Sequence, residues 1–251
     1  MRFPSWTVGQ PRRMQHSEHL IRSRVFFGHQ SVGADLLQEL QALRTARNGS
    51  FPIEELAQTG AVSCTQPAVL HARLGANGDA ASKISAFVAW LQGGLSQSID
   101  TALMKFCYVD ITSSEQARSV FGRYVDAMST LAAAYPQLNL LHCSVPIRRL
   151  PSGPYALTRR MLGHRHPELE RNAAREWFNQ RLREKYGPKV FDLAGLECTY
   201  PDGRRCTQKM GAIEVPGLVP TYTNDGGHLN EQGRRIAALA FLDFLQASEK
   251  N

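Results

Sequence analysis

Residues 24–43 read RVFFGHQSVGADLLQELQAL, and the spacing of their apolar side chains changes period part-way along. Arg24–Phe27 leads into Gly28 as a short buried strand would. From Val32 onward, Val32, Leu36, Leu37, Leu40 and Leu43 recur every three or four residues on one helical face. A strand that feeds directly into an amphipathic helix opens a strand–helix–strand unit, and the rest of the chain repeats the alternation. Ile84, Phe87, Val88, Leu91 and Leu95 mark a second helix, and Ala117, Val120, Phe121, Tyr124, Val125, Met128 and Leu131 a third. Leu103–Ile111 (LMKFCYVDI) is expected to run as one buried strand, and Leu138–Val145 (LNLLHCSV) as another that stops at Pro146. Residues 168–186 are helical in pattern, Val190–Leu193 is a short strand, and Asn230 is a good cap for a last helix reaching about Leu245. This order predicts an α/β fold: a three-layer α/β/α sandwich around a mainly parallel sheet of about five strands.

The composition fits that expectation. With 251 residues, 43% hydrophobic and 20% charged, the chain has the make-up of a globular protein. A chain of this size buries roughly 70–75% of its unfolded surface, so a core needs neither disulfides nor metal. No apolar run approaches the ~18 residues of a membrane span. The first 24 residues are basic but lack the apolar stretch of a signal peptide. Residues 1–23 are expected to be an extension and 24–251 one domain. As written the chain reads as cytoplasmic; a trimmed, exported precursor would read the same way.

The net charge of +7 is concentrated between Arg148 and Lys189, where eleven Lys/Arg face four Asp/Glu. No zinc finger, basic zipper or RNA-recognition pattern accompanies it, so nucleic acid is not an expected partner. A solvated helix face bearing Arg171, Arg175, Arg181, Arg183 and Lys185 is one reading of the basic segment 147–189; an anion-facing surface near a site is the other. The five cysteines contain no CxxC pair. Cys107 and Cys143 sit in apolar runs, while Cys198 and Cys206 flank TYPDGRR and could bridge in an oxidising compartment. No metal or other cofactor is expected, because the histidine pairs lack further ligands at zinc spacing.

Three polar clusters fall where such a fold concentrates its chemistry, beyond the carboxyl ends of the strands. Gly28–Gly33 (GHQSVG) presents Ser31 at a strand-to-helix turn, either as a nucleophile or as a helix cap. Asn224–Asn230 (NDGGHLN) places Asp225 three residues before His228, close enough to fix the imidazole tautomer and leave the other nitrogen for a serine proton. Gly75–Asp79 (GANGD) is a tight loop able to turn N–H groups outward. His29, His71 and His142 are expected to bond loop backbone, and Tyr222 and Thr223 to serve packing and the turn.

In chain order and surroundings these clusters resemble the SGNH, or GDSL-type, serine hydrolases. The resemblance spans Arg24 to about Leu245 and implies the flavodoxin-like architecture of that family. It implies Ser31 as nucleophile, Asp225 and His228 as its DxxH pair, and the N–H groups of Ser31 and Gly78 as oxyanion donors. Two features depart from the pattern. The serine follows Gly-His-Gln rather than Gly-Asp, and the third block ends Cys107-Tyr108-Val109-Asp110 with no asparagine. Asn77 is a substitute donor, and a protonated Asp110 a second. The implied activity is metal-independent cleavage of an ester, an acyl group on a carbohydrate or other polar alcohol. Acyl transfer through the same triad and a non-catalytic carbohydrate- or partner-binding domain are the alternatives. Arg148 and Arg149, with Arg159 or Arg160, are expected to bind an anionic part of a small-molecule or glycan ester.

Overall fold

The structure, a computed structural model, describes residues 21–46, 51–153, 158 and 166–249. Its centre is strand β1 (Arg24–His29), whose alternate side chains enter two different cores because successive residues of a strand face opposite ways. Val25 and Phe27 pack on one face and Phe26 on the other. Helix α1 (Ser31–Ala46) follows after a single residue. The chain then forms β2 (Ile53–Glu55), β3 (Ala68–Arg73), α2 (Ala80–Gln92), β4 (Thr101–Met104), α3 (Ser114–Ala134), β5 (Asn139–Leu140) and β6 (His142–Cys143). Beyond these lie α4 (Pro167–Tyr186), β7 (Val190–Phe191), α5 (Leu193–Glu197), β8 (Thr207–Met210), β9 (Ile213–Pro216) and α6 (Glu231–Ser248).

Five strands form a parallel sheet in the order β2-β3-β1-β4-β5, and β6 and β7 pair in parallel beside it. The antiparallel β8–β9 ribbon is separate. The apolar stripes of α1 and α6 close over Val25, Phe27, Val69 and Leu103. Those of α2, α3 and α4 close over Phe26, Leu70, Ala102 and Met104 on the other face. This is the three-layer α/β/α fold with a mainly parallel sheet. The connection from β1 leads to one side of it, and the next crossover returns to β4 on the other. In sheets of this topology that reversal, at the carboxyl ends of β1 and β4, is where ligands bind.

Several elements differ from the sequence expectation. The run Leu103–Ile111 is not one strand: β4 begins at Thr101 and ends at Met104, and Tyr108–Asp110 form a 3-10 turn. The Asp110 carboxylate accepts the Cys107 N–H at 2.6 Å, and that bond curls the chain out of the sheet. Leu138–Val145 is split into β5 and β6, and Leu95 lies beyond α2 in a separate 3-10 turn after Gly94 (φ 109°). Strand β3 carries His71 and Arg73, which interrupt its apolar pattern and hid it. Ile21 is 1% exposed within the core, and the Ser23 N–H bonds the Glu249 carboxylate, so ordered packing begins ahead of Arg24.

Phe26 is fully buried against Phe87 and Trp90. Phe26→Ala should therefore destabilise the fold by about 3–5 kcal/mol in urea denaturation. Ile213→Ala, at a side chain 52% exposed on the ribbon, should change it by less than ~0.5 kcal/mol. Equal effects would contradict the core assignment.

Candidate active site

Ser31 is the first residue of α1 rather than its cap. The Gln30 carbonyl, one position earlier, accepts the Gly33 and Ala34 N–H groups. The serine hydroxyl is thus free of capping duty, and it lies 3.2 Å from His228 Nε2. Its N–H belongs to the first helical turn, whose N–H groups have no acceptor within the helix and favour negative charge nearby.

The turn before α6 holds the histidine. Asp225 Oδ1 accepts the N–H groups of Gly227 and His228, each at 2.8 Å, while Oδ2 lies 2.6 Å from His228 Nδ1. A carboxylate can only accept, so Nδ1 carries the proton and the Nε2 lone pair faces Ser31. Partial burial works against the Asp225 anion. The bonds from the imidazole, the His228 N–H and the Gly227 N–H outweigh it and hold the carboxyl well below its ordinary value. Thr223 Oγ1 accepts the Gly226 N–H, and the Asn230 side chain caps α6 at Gly233. Tyr222 packs in the core, as expected for it.

Gly227 allows a close approach that its type makes possible. A Cβ there would lie 3.0 Å from the Tyr108 ring, which stands edge-on to the His228 imidazole at 6.0 Å between centroids. Tyr108 is a site residue that the sequence did not reveal, since it reads as one more apolar member of a strand. Its ring also receives the Arg148 guanidinium at 5.1 Å, and its carbonyl the Arg175 Nε at 2.8 Å. One aromatic ring therefore separates the imidazole from Arg148.

The loop after β3 differs from the implied oxyanion arrangement. The Gly78 N–H is donated to Asp110 Oδ1 at 2.8 Å, so it is already committed. Asp110 is no oxyanion donor either: its oxygens accept from Gly78, Cys107 and the Lys83 ammonium. Asn77 is exposed, and its Oδ1 accepts from Lys83 Nζ at 3.0 Å. Gln30 ties this loop to the serine turn by donating from Nε2 to the carbonyls of Leu74 and Gly75.

Of the arginines, Arg148 is 35% exposed and lies 3.6 Å from Glu168, which also holds Arg171 and Arg175. Arg149 is exposed, and its N–H bonds the Gly226 carbonyl at 2.9 Å. Arg159 and Arg160 lie outside the described residues. Arg175 does not belong to a solvated face: it is 1% exposed and bonded to Tyr108, Ile111, Glu168 and Asn172. The buried Glu168 carboxylate and backbone oxygens are what draw its charge inward. Of the three histidines His29, His71 and His142, His29 bonds backbone, through Nδ1 and the Gln30 carbonyl. His71 bonds His29, and His142 bonds the Tyr124 hydroxyl. Cys198 and Cys206 are free thiols here.

No family model and no curated protein sequence matches the chain. Solved structures do. A protein named for platelet activating factor from Streptococcus pneumonia is 17% identical, with 90% of this chain and 84% of that one covered and a TM-score of 0.52. A family 3 carbohydrate esterase of Clostridium thermocellum is 14% identical over 90% of this chain and 98% of its own, at a TM-score of 0.44. A member of the lipolytic protein G-D-S-L family from Veillonella parvula is 13% identical over 87% and 95%, at 0.42. At these identities the likeness to the first is a likeness of fold.

Burial holds the His29 ring neutral, lowering its value from 6.5 to about 4. Between those pH values the unfolded chain binds the proton and the native chain does not, so stability should fall as pH drops through that window. The urea midpoint should decrease from pH 7 to pH ~4.5. His29→Gln should show a smaller decrease, and an unchanged one would remove His29 as its source.

Proposed function

We propose that the protein is a serine ester hydrolase of the SGNH type. The observation that supports this best is the unbroken chain of short contacts from Ser31 Oγ to His228 Nε2 and from His228 Nδ1 to Asp225 Oδ2, at the carboxyl edge of a parallel sheet. In this reading His228 takes the Ser31 proton as the hydroxyl attacks the ester carbonyl. Asp225 steadies the imidazolium that forms. The Ser31 N–H, at the positive end of α1, faces the oxyanion. Protonated His228 then hands its proton to the departing alcohol. Water, deprotonated by the same imidazole, releases the acid from Ser31. None of these steps calls on a metal.

The substrate is an acyl ester of a polar alcohol such as a carbohydrate, with an anionic group on the side facing Arg148. The guanidinium of Arg148 is half-exposed, stacked on the same Tyr108 ring that borders His228, and shares the Glu168 carboxylate with two other arginines. It therefore retains donors for a substrate anion.

A fluorophosphonate probe should label Ser31. Ser31→Ala should abolish labelling and lower nitrophenyl acetate hydrolysis on the order of 10⁴-fold, with His228→Ala close to it and Asp225→Asn milder. Near-normal turnover by Ser31→Ala would overturn the reading, and an unlabelled, inactive protein would favour a binding domain. For the substrate, Arg148→Gln with Arg149→Gln should lower kcat/KM for an acidic ester by about tenfold relative to a neutral one. Added salt should reduce the same ratio. Equal effects on both esters would return these arginines to a surface role.

A further inference from the structure

Two histidines meet at the turn before Ser31, and their hydrogen bonds run in one direction. His29 ends β1, with its ring buried and stacked on Phe27 at 5.4 Å between centroids. His71 stands half-buried on β3, the neighbouring strand. His29 Nδ1 lies 2.9 Å from the Gln30 carbonyl oxygen, and His29 Nε2 lies 3.1 Å from His71 Nδ1. A carbonyl oxygen can only accept, so His29 Nδ1 carries the proton. Burial keeps the ring neutral, which leaves a lone pair on Nε2. His71 Nδ1 is then the donor to it. In the opposite tautomer of His29, the Nδ1 lone pair would face the carbonyl oxygen and repel it.

That carbonyl starts the helix of the nucleophile. It accepts the N–H groups of Gly33 at 2.9 Å and of Ala34 at 3.0 Å, the bonds that open α1. It also belongs to the same planar peptide as the Ser31 nitrogen, so fixing the oxygen fixes the direction of the Ser31 N–H and the place of its Cα. A helix's first turn defines that plane loosely by itself, because helix ends fray. The imidazole reaches the oxygen because residue 33 is glycine: a Cβ there would lie 2.3 Å from His29 Cβ. Gln30 Nε2 donates to the Leu74 and Gly75 carbonyls, and the Leu74 N–H to the His29 carbonyl. Those bonds tie the turn to the loop after β3, whereas the His29 ring acts on the Gln30–Ser31 peptide itself.

We propose that His29 and His71 are positioning residues for Ser31. The His29 Nδ1–H holds the Gln30–Ser31 peptide, and the His71 Nδ1–H keeps His29 in the tautomer that can do so. The inference rests on Ser31 being the nucleophile. It gives a task to the histidine in the Gly-His-Gln step by which this turn departs from Gly-Asp.

Two amide substitutions separate the nitrogens of His29. Glutamine places its amide where Nε2 lies and cannot serve the Gln30 carbonyl; asparagine places its NH₂ where Nδ1 lies and can. His29→Gln should lower kcat for nitrophenyl acetate about tenfold or more with little change in KM, and slow fluorophosphonate labelling of Ser31 in proportion. His29→Asn should restore both to within about threefold of the wild type. A ring that only fills space would make the two variants alike. Equal kcat values, with Ser31 labelled in the wild type, would overturn the inference and leave the hydrolase reading intact. Absence of that labelling in the wild type would overturn both. His71→Leu should lower kcat in the wild type but not in His29→Asn, whose amide has no tautomer to set. Equal losses in the two backgrounds would reject the role of His71. Should His29→Gln fail to fold, the nitrogen-15 shifts of the unaltered protein at neutral pH decide. Both rings should carry their proton on Nδ1, and a proton on His29 Nε2 would overturn the inference.

Discussion

Strand β1 lies between β3 and β4 and runs parallel to both, and the site depends on that arrangement. Parallel register brings His29, Arg73 and Met104 to one edge of the sheet. The three turns that follow these residues carry Ser31, Asn77 and Tyr108 and have little freedom to move apart. The Lys105 N–H bonds the Gly28 carbonyl and the Leu74 N–H bonds the His29 carbonyl, extending the ladder into the turns themselves. The catalytic constellation proposed for these turns needs a rigid base, because small displacements of reacting groups cost much of the rate.

Crowding polar groups at one edge has consequences below it. Lys105 is buried under the serine turn, with Nζ bonded to the Phe106 carbonyl. Burial raises the Glu197 carboxyl to about 8, though the Ile147 N–H bonds its Oε2. Asp35, one helical turn beyond Ser31, is likewise raised by burial. Asp35 Oδ2 and Glu197 Oε1 are buried with no hydrogen-bond partner among the described residues, which is why burial favours their neutral forms.

The turn after β4 illustrates how one buried carboxylate can organise the loops around a candidate site. An asparagine after the third long strand is absent, and in its place Asp110 acts as an acceptor that organises two loops. The sequence carried a signal of this: a lysine on the apolar stripe of a helix and an aspartate at the end of an apolar run. Each alone reads as a tolerated exception. As a pair they mark a buried contact, but twenty-seven residues of separation do not say that they meet.

Much was decided locally and was therefore legible in the chain. The periods of α1 and α3, the capping asparagine at Asn230, and the Asp225–His228 spacing depend on contacts within a few residues, and each is present. The lengths of β4 and β5, the existence of β3 and the direction of the Gly78 N–H depend on partners far along the chain. So do the inward turn of Arg175 and the place of Tyr108 between His228 and Arg148. A side chain's own sequence neighbours set its helical face; which distant carboxylate or carbonyl takes its hydrogen bond is settled only when the sheet brings both to the same edge.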